Sequence, residues 1–247
     1  MAFFCYSASM RYLGFYIFFC GVLGQALLAT PKTIFEARYK GAPAYTIEVE
    51  AQNVVHHGRP LTLLETRSQG PNIEELNQCL LDETLQLVHL FQTSQNGYTK
   101  AHYQWEIDFS DAKGQVTYGS LGNPKRHLVL VTHPNTRTLQ TFLFSLKDQD
   151  LEPGTSLQFW MLTPPASLFS MTATVVGTDT FDGAGLRPFY SDWASRRDCY
   201  RIECQVSGLF GYLLPKTTLW VTQKKPHIPV KYVDQQQTIV LVKTVAD

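Results

Sequence analysis

From Tyr45 to Val55 apolar and polar residues alternate, and a period of two predicts a strand with one face on a core and one in water. The same pattern recurs along most of the chain. Phe35–Lys40 precedes it, and Leu61–Ser68 follows after the turn residues His57-Gly58-Arg59-Pro60. Gln69-Gly70-Pro71-Asn72 breaks the rhythm ahead of a short acidic stretch that reads as a helical turn, and Thr84–Gln92 resumes it. Asn96-Gly97 is a strong hairpin signal, because both residue types tolerate the positive φ of a tight two-residue turn. It leads into His102–Phe109, and Asp111–Gly114 turns the chain again into Gln115–Tyr118. Together these segments predict a meander of antiparallel strands.

One segment follows a different period. Leu139, Phe142, Leu143 and Leu146 stand at i, i+3, i+4 and i+7, which places them on one face of a helix over Pro134–Leu146. Asn135 or Thr136 can cap its first turn by accepting from an otherwise unpaired backbone amide. Beyond Glu152-Pro153-Gly154, strand patterns return at Leu157–Leu162, Phe169–Gly177, Cys199–Val206, Thr217–Thr222 and Thr238–Val245. The segment Thr178–Trp193 reads as a long loop, a kind of element that often carries function. A single helix between two runs of strands predicts a mainly β fold: a curved antiparallel sheet or open half-barrel with one covering amphipathic α-helix, since both elements must bury an apolar face.

The N-terminus carries an address. Arg11 followed by the uncharged run Tyr12–Ala26, ending in Gly24-Gln25-Ala26, has the form of a secretory signal peptide. The expected layout is a signal peptide at residues 1–26, with cleavage as late as 29, followed by a single β-rich domain at 30–247. The alternative is an anchor in the inner membrane formed by residues 12–29, close to the length of about 20 apolar residues that crosses a bilayer. Cys20 follows Phe18-Phe19 instead of a small residue, so lipid attachment there is not expected.

Composition narrows the classes. Lys and Arg number 21 against 21 Asp and Glu, so no electrostatic footprint argues for a nucleic-acid partner. With 44% hydrophobic and 17% charged residues the chain has ample apolar surface to fold. Cys79, Cys199 and Cys204 remain after export. The last two lie five apart in one strand and face opposite sides, so they do not pair with each other. A bridge from Cys79 to either one and three buried thiols are both open readings.

The linear sequence shows little catalytic chemistry. None of the seven histidines stands in a metal-ligand spacing, and no metal or cofactor is expected. The nucleophile elbow, the phosphate-cradling loop and the dinucleotide glycine pattern are all missing, which argues for a non-enzymatic protein. A hydrolase assembled from His127, His133 and Asp182 is the residual alternative. Arg196 and Arg197, with Trp193 nearby, are anion-binding candidates through bidentate geometry. Trp105, Phe109, Leu139, Phe142, Leu146 and Trp160 are candidates to line a ligand groove between sheet and helix.

The C-terminal half resembles a known family. Asn135–Leu146 followed by Leu151-Glu-Pro-Gly-Thr-Ser-Leu-Gln-Phe159 resembles the helix and the L-x-x-G-x-x-hydrophobic step of the bacterial domain of unknown function 3108. Cys199–Val206, Lys216–Thr222 and Pro229–Tyr232 resemble its closing strands, and the likeness extends from about residue 130 to 245. Only Gly41-Ala42-Pro43-Ala44 suggests its usual opening. The resemblance implies export in Gram-negative bacteria, no established activity, and a half-barrel of the lipoprotein-carrier (LolA-like) type. The resulting expectation is a periplasmic, non-enzymatic module binding a lipid or other hydrophobic small molecule. The alternative is a structural or assembly factor that meets an envelope protein.

Overall fold

The computed structural model describes residues 32–39, 42–97, 101–110, 113–164, 166–182, 196–208, 211, 215–235 and 237–245. The expectations on residues 1–29, on Trp193 and on most of the Thr178–Trp193 loop fall outside this set. The described residues form one sheet. Its first run comprises β1 (Lys32–Tyr39), β2 (Ala42–His56), β3 (Arg59–Gly70), β4 (Ile73–Leu81), β5 (Leu87–Asn96), β6 (Ala101–Ser110), β7 (Lys113–Ser120) and β8 (Asn123–Val131). Then come β9 (Thr136–Arg137) and the helix α1 (Leu139–Ser145). The second run comprises β10 (Ser156–Thr163), β11 (Ser167–Phe181), β12 (Arg197–Val206), β13 (Thr217–Thr222), β14 (Pro229–Val233) and β15 (Gln237–Val245).

The fold class is the expected one, a large curved sheet with a single short α-helix among the described residues. The first and last strands pair in its middle, Phe35 opposite Leu241 and Ala37 opposite Ile239. From that seam the sheet runs outward through β2 to β8 on one side and through β15 down to β9 on the other, leaving β8 and β9 at its edges. Every adjacent pair is antiparallel except β9 with β10.

Four local expectations are corrected. The acidic stretch after Asn72 is strand β4, not a helical turn, because Ile73, Asn77, Cys79 and Leu81 alternate into the core and the backbone pairs with β3 and β5 on both sides. Strand β8 was not anticipated from the sequence at all. The helix begins later than Pro134: Asn135 takes a positive φ of 61°, Thr136–Arg137 join the sheet, and Thr138 is the N-cap. Residues Thr178–Phe181 continue β11 instead of opening a loop.

A helix of 7 residues is marginal by itself, and two devices hold this one. The first is a capping box: Thr138 Oγ1 accepts from Thr141 N at 3.2 Å while Thr141 Oγ1 accepts from Thr138 N at 2.9 Å. The second is burial inside the concave face. Phe142 and Leu146 pack into a cluster with Phe159, Val175, Ile202, Leu219 and Val221, and Phe142 stacks on Phe159 with ring centres 4.1 Å apart. Phe144 reaches the other cluster, built from Leu64, Cys79, Leu90, Trp105 and Ile107 of the first run. Leu162 of β10 and Leu168 of β11 join that same cluster, so the two wings of the sheet, already paired at β1–β15, also meet through side chains away from that seam.

Hydrogen bonds pin the helix at both ends. Arg137 Nη1 donates to Gln86 Oε1 at 3.2 Å, beyond the end of β4. At the other side, His227 N donates to Lys147 O at 2.9 Å, and the imidazole lies between Thr222 O and Gln149 O at 2.7 and 3.1 Å. Strands β4 and β13 therefore both finish under α1, which plugs one end of the half-barrel.

All three described cysteines are free and buried, which decides between the two open readings. Cys204 sits in the cluster under the helix, whereas Cys199 joins a smaller one with Val230 and Leu241. Burial pushes the Cys79 thiol up to about 12, and the thiol donates to Asn77 Oδ1 at 3.1 Å. Among the described residues no helix is long and apolar enough to cross a membrane.

Candidate functional site

The inward faces of three neighbouring strands change character in the same direction. On β3 the inward set runs Leu64, Thr66, Ser68; on β4, Cys79, Asn77, Glu75; on β5, Leu90, Gln92, Ser94. Apolar members lie toward α1 and polar ones toward the opposite end. Because β4 runs against its two neighbours, the gradient is written in opposite senses along the chain and only pairing aligns it.

The groove candidates occupy the apolar end. Trp105, Phe142 and Leu146 are buried core, Phe109 packs against the Trp105 cluster, and Leu139 is half-buried. Trp160 points away from its neighbour Phe159 and stacks on His133, with ring centres 3.9 Å apart. The helix sits within the concavity instead of over it, so the chain's own side chains fill the apolar space that the sequence predicts as a groove.

A polar ladder begins where that packing stops. Trp105 Nε1 donates to Gln92 Oε1 at 2.7 Å, and Gln92 Nε2 donates to the Tyr103 hydroxyl at 3.2 Å. One rung further, Ser94 Oγ and Asn96 Nδ2 both donate to Glu75 Oε1, at 2.7 and 3.0 Å. Burial, with the Glu75 carboxylate second, raises the Tyr103 phenol well above its ordinary range. Burial followed by Asp234 does the same to Tyr232. Both phenols therefore stay neutral at any physiological pH and can donate and accept.

The ladder leads to a cleft of about 380 Å³ at the end of the half-barrel opposite α1. Its walls come from strands distant in sequence: Tyr45, Glu75 and Asn96 from one wing, Lys216, Asp234 and Gln237 from the other. Tyr45 Oη donates to Gln237 Oε1 at 2.7 Å, and Gln237 N donates to Asp234 Oδ1 at 2.8 Å. Lys216 is turned toward Glu203, to which it donates at 2.8 Å. Gly70 lets β3 close on this mouth, since a Cβ there would stand 2.7 Å from Tyr45 Cβ. Two carboxylates, three side-chain amides and two tyrosines, with the one lysine turned toward Glu203, make a surface suited to hydroxyl groups, which need acceptors and donors side by side.

Sequence reasoning assigns no binding role to Asn96, Tyr45, Gln237 or Asp234, and reads the Glu74-Glu75 pair as solvated surface. The one signal that could have flagged them is the shared loss of apolar character along the inward set, which becomes visible once register is known. Thr66 belongs to this zone. It is only 6% exposed, and its Oγ1 has no hydrogen-bond partner among the described residues. Thr66→Val removes an unsatisfied hydroxyl at almost constant volume, so it is expected to stabilise the protein by about 1 kcal/mol, read as a rise in the urea midpoint at unchanged slope.

The anion-binding candidates are placed elsewhere. Arg197 opens β12 opposite Phe181 and flanks a shallow depression with Asp198, Lys224 and Lys225, while Arg196 precedes it on the surface. Lys225 reaches back to Asp150, and Asp198 brings a negative charge to the same depression. Among the described residues no group of three His, Cys, Asp or Glu is placed to hold a metal ion. His127 meets Thr117 Oγ1 at 3.3 Å and His133 stacks on Trp160, neither contact being a nucleophile held by a histidine and a carboxylate.

Fold and cleft together define a β-barrel-like domain, open along one seam and plugged at one end. The comparisons agree at that level. A β-barrel-like protein of domain of unknown function DUF1849 from Brucella abortus superposes with a TM-score of 0.51 at 10% identity, over 90% of this chain and 100% of that one. At such identity the likeness is one of fold. No family model and no curated protein matches the chain, so of the resemblance read from the sequence it is the β-rich fold that the comparisons support.

Proposed function

We propose that this chain is an exported, non-enzymatic binding module that holds the hydroxyl-bearing part of a small molecule or amphiphile in the cleft between Glu75 and Asp234. The observation that carries the reading is the about 380 Å³ opening at the unplugged end, backed by a hydrogen-bonded polar ladder, while the apolar end is filled. Pockets dedicated to small ligands have volumes of this order and a few fixed polar groups. A lipid enters this scheme through its headgroup, since an acyl chain would have to displace α1. The Tyr12–Ala26 run supports a periplasmic location, and the motif order from Asn135 to Tyr232 supports a distant kinship with the domain of unknown function 3108.

The test is native mass spectrometry of the full chain recovered from its own periplasm without detergent, followed by extraction of any bound molecule. A stoichiometric hydroxyl-rich compound is expected. Its occupancy should fall at least tenfold, about 1.4 kcal/mol, in Glu75→Gln, an isosteric change that leaves the ladder's shape in place. A bare polypeptide would sink the proposal. A ligand retained by Glu75→Gln but lost in helix variants would move the site to the α1 end.

A further inference from the structure

The two edges of the sheet are unlike. Edge strand β9 spans 2 residues, the short form that natural proteins favour at an exposed edge. Edge strand β8 spans 9 and pairs only with β7 among the described residues. Its last five residues, His-Leu-Val-Leu-Val, contain no charge and no proline. Leu128, Val129 and Val131 are 46%, 69% and 62% exposed. The register shift that bends this hairpin lies at its other end, between Tyr118 and Gly119, so the apolar half stays regular. In an antiparallel ladder alternate residues turn their N–H and C=O away from the neighbour, and here those groups face outward from β7.

Charge adds a second constraint. The hairpin Lys113–Val131 carries Lys113, Lys125, Arg126 and His127 and no Asp or Glu, within a chain whose formal net charge is zero. We propose that the outer edge of β8 is a docking site for an extended segment of a partner protein, one with β-branched residues opposite Leu128–Val131 and an acidic end opposite Arg126. This inference does not depend on the cleft. Added strands bind in this way elsewhere, main-chain bonds supplying affinity and side chains selectivity. An anionic bilayer also suits valines beside basic residues, but hydrocarbon cannot satisfy the open backbone groups of a sheet edge. A second copy of β8 offers no acidic partner to Arg126.

The experiment uses the full mature chain and a labelled peptide of alternating valine and threonine with an aspartate-glutamate end, followed by fluorescence anisotropy. Saturable binding is expected, weakening with salt because the charge contacts are exposed. Val129→Lys with Val131→Lys, both at exposed positions, should weaken it at least tenfold while leaving the urea midpoint in place. Arg126→Glu should reverse the preference toward a peptide with a lysine end. N-methylation of alternate peptide amides should abolish binding, since it deletes the donors that pair with the edge. Equal binding of the N-methylated peptide would overturn the proposal. So would indifference to the peptide combined with sedimentation on phosphatidylglycerol vesicles, or a dimer in solution that Val129→Lys dissociates.

Discussion

Phe142→Ala is expected to lower the unfolding free energy by about 3–5 kcal/mol, the usual cost of emptying a buried aromatic site. The ring is 3% exposed and lies nearly parallel to Phe159, at 9° between planes, in the centre of the cluster that joins α1 to the second run of strands. A seven-residue helix has no stability of its own with which to absorb that loss. Urea unfolding followed by near-UV dichroism measures the effect. Phe142→Asp adds the desolvation of a carboxylate to the cavity, and the folded protein should not accumulate. A Phe142→Asp chain that folds with native stability would mean that α1 lies on the surface and that the apolar groove is open after all.

The second large effect is expected at Trp105. Trp105→Ala should cost about 3–5 kcal/mol, because it opens a cavity in a buried cluster bounded by β5, β6 and β7. Trp105→Phe separates packing from hydrogen bonding. It keeps much of the volume but leaves Gln92 Oε1 without its donor in a half-buried position, and a loss of about 1 kcal/mol is expected. The informative readout is the two variants side by side in denaturant titrations. If Trp105→Phe is silent, the indole N–H contributes nothing and the ladder below it is incidental to the fold. A measurable loss identifies the indole as the joint between the apolar plug and the polar mouth, which is where a ligand in the cleft would be sensed by the core.

These predictions bear on function through one feature, the division of the interior into a sealed end and an open one. Glu75, Ser94 and Asn96 are held by one another before any ligand arrives. Such preorganisation lowers the cost of binding, since the polar groups need not be ordered at the moment of contact. Tyr45 and Gln237 do the same across the β1–β15 seam, joining residues 192 apart. The mouth is thus stitched by the same seam that closes the sheet, and a ligand bridging Glu75 and Asp234 would stabilise both wings together.

Much of the strand content was legible because alternation is a local property. Each stretch from Phe35 to Tyr118 reports its own buried face without knowing its neighbours, and Leu139, Phe142 and Leu146 report the helix in the same manner. The spacing of Cys199 and Cys204 likewise decided that they cannot pair with each other. Where reading failed, the information was not local. Ile73–Leu81 looks acidic and broken until β3 and β5 supply ladders on both sides. Asn135 and Thr136 read as caps by residue type alone, but pairing with β10 draws Thr136 into an edge strand and leaves the cap to Thr138. For Trp160 and Phe159 a run of apolar neighbours does not say which of two adjacent side chains goes inward, and the structure buries Phe159 while Trp160 stacks on His133.

The linear order of residues by itself determined a mainly β fold with one apolar helix and a Cys199–Cys204 spacing that keeps those two thiols apart, all of which follow from local period. Whether the concavity is a groove or a packed core, which strands share the polar mouth, and which strand stands at the edge were decided by closure and register. The reason is physical: a side chain's environment is set by the atoms across the sheet, and Glu75 shares a cleft with Asp234, or Leu162 joins Trp105's cluster, only after the first and last strands have paired.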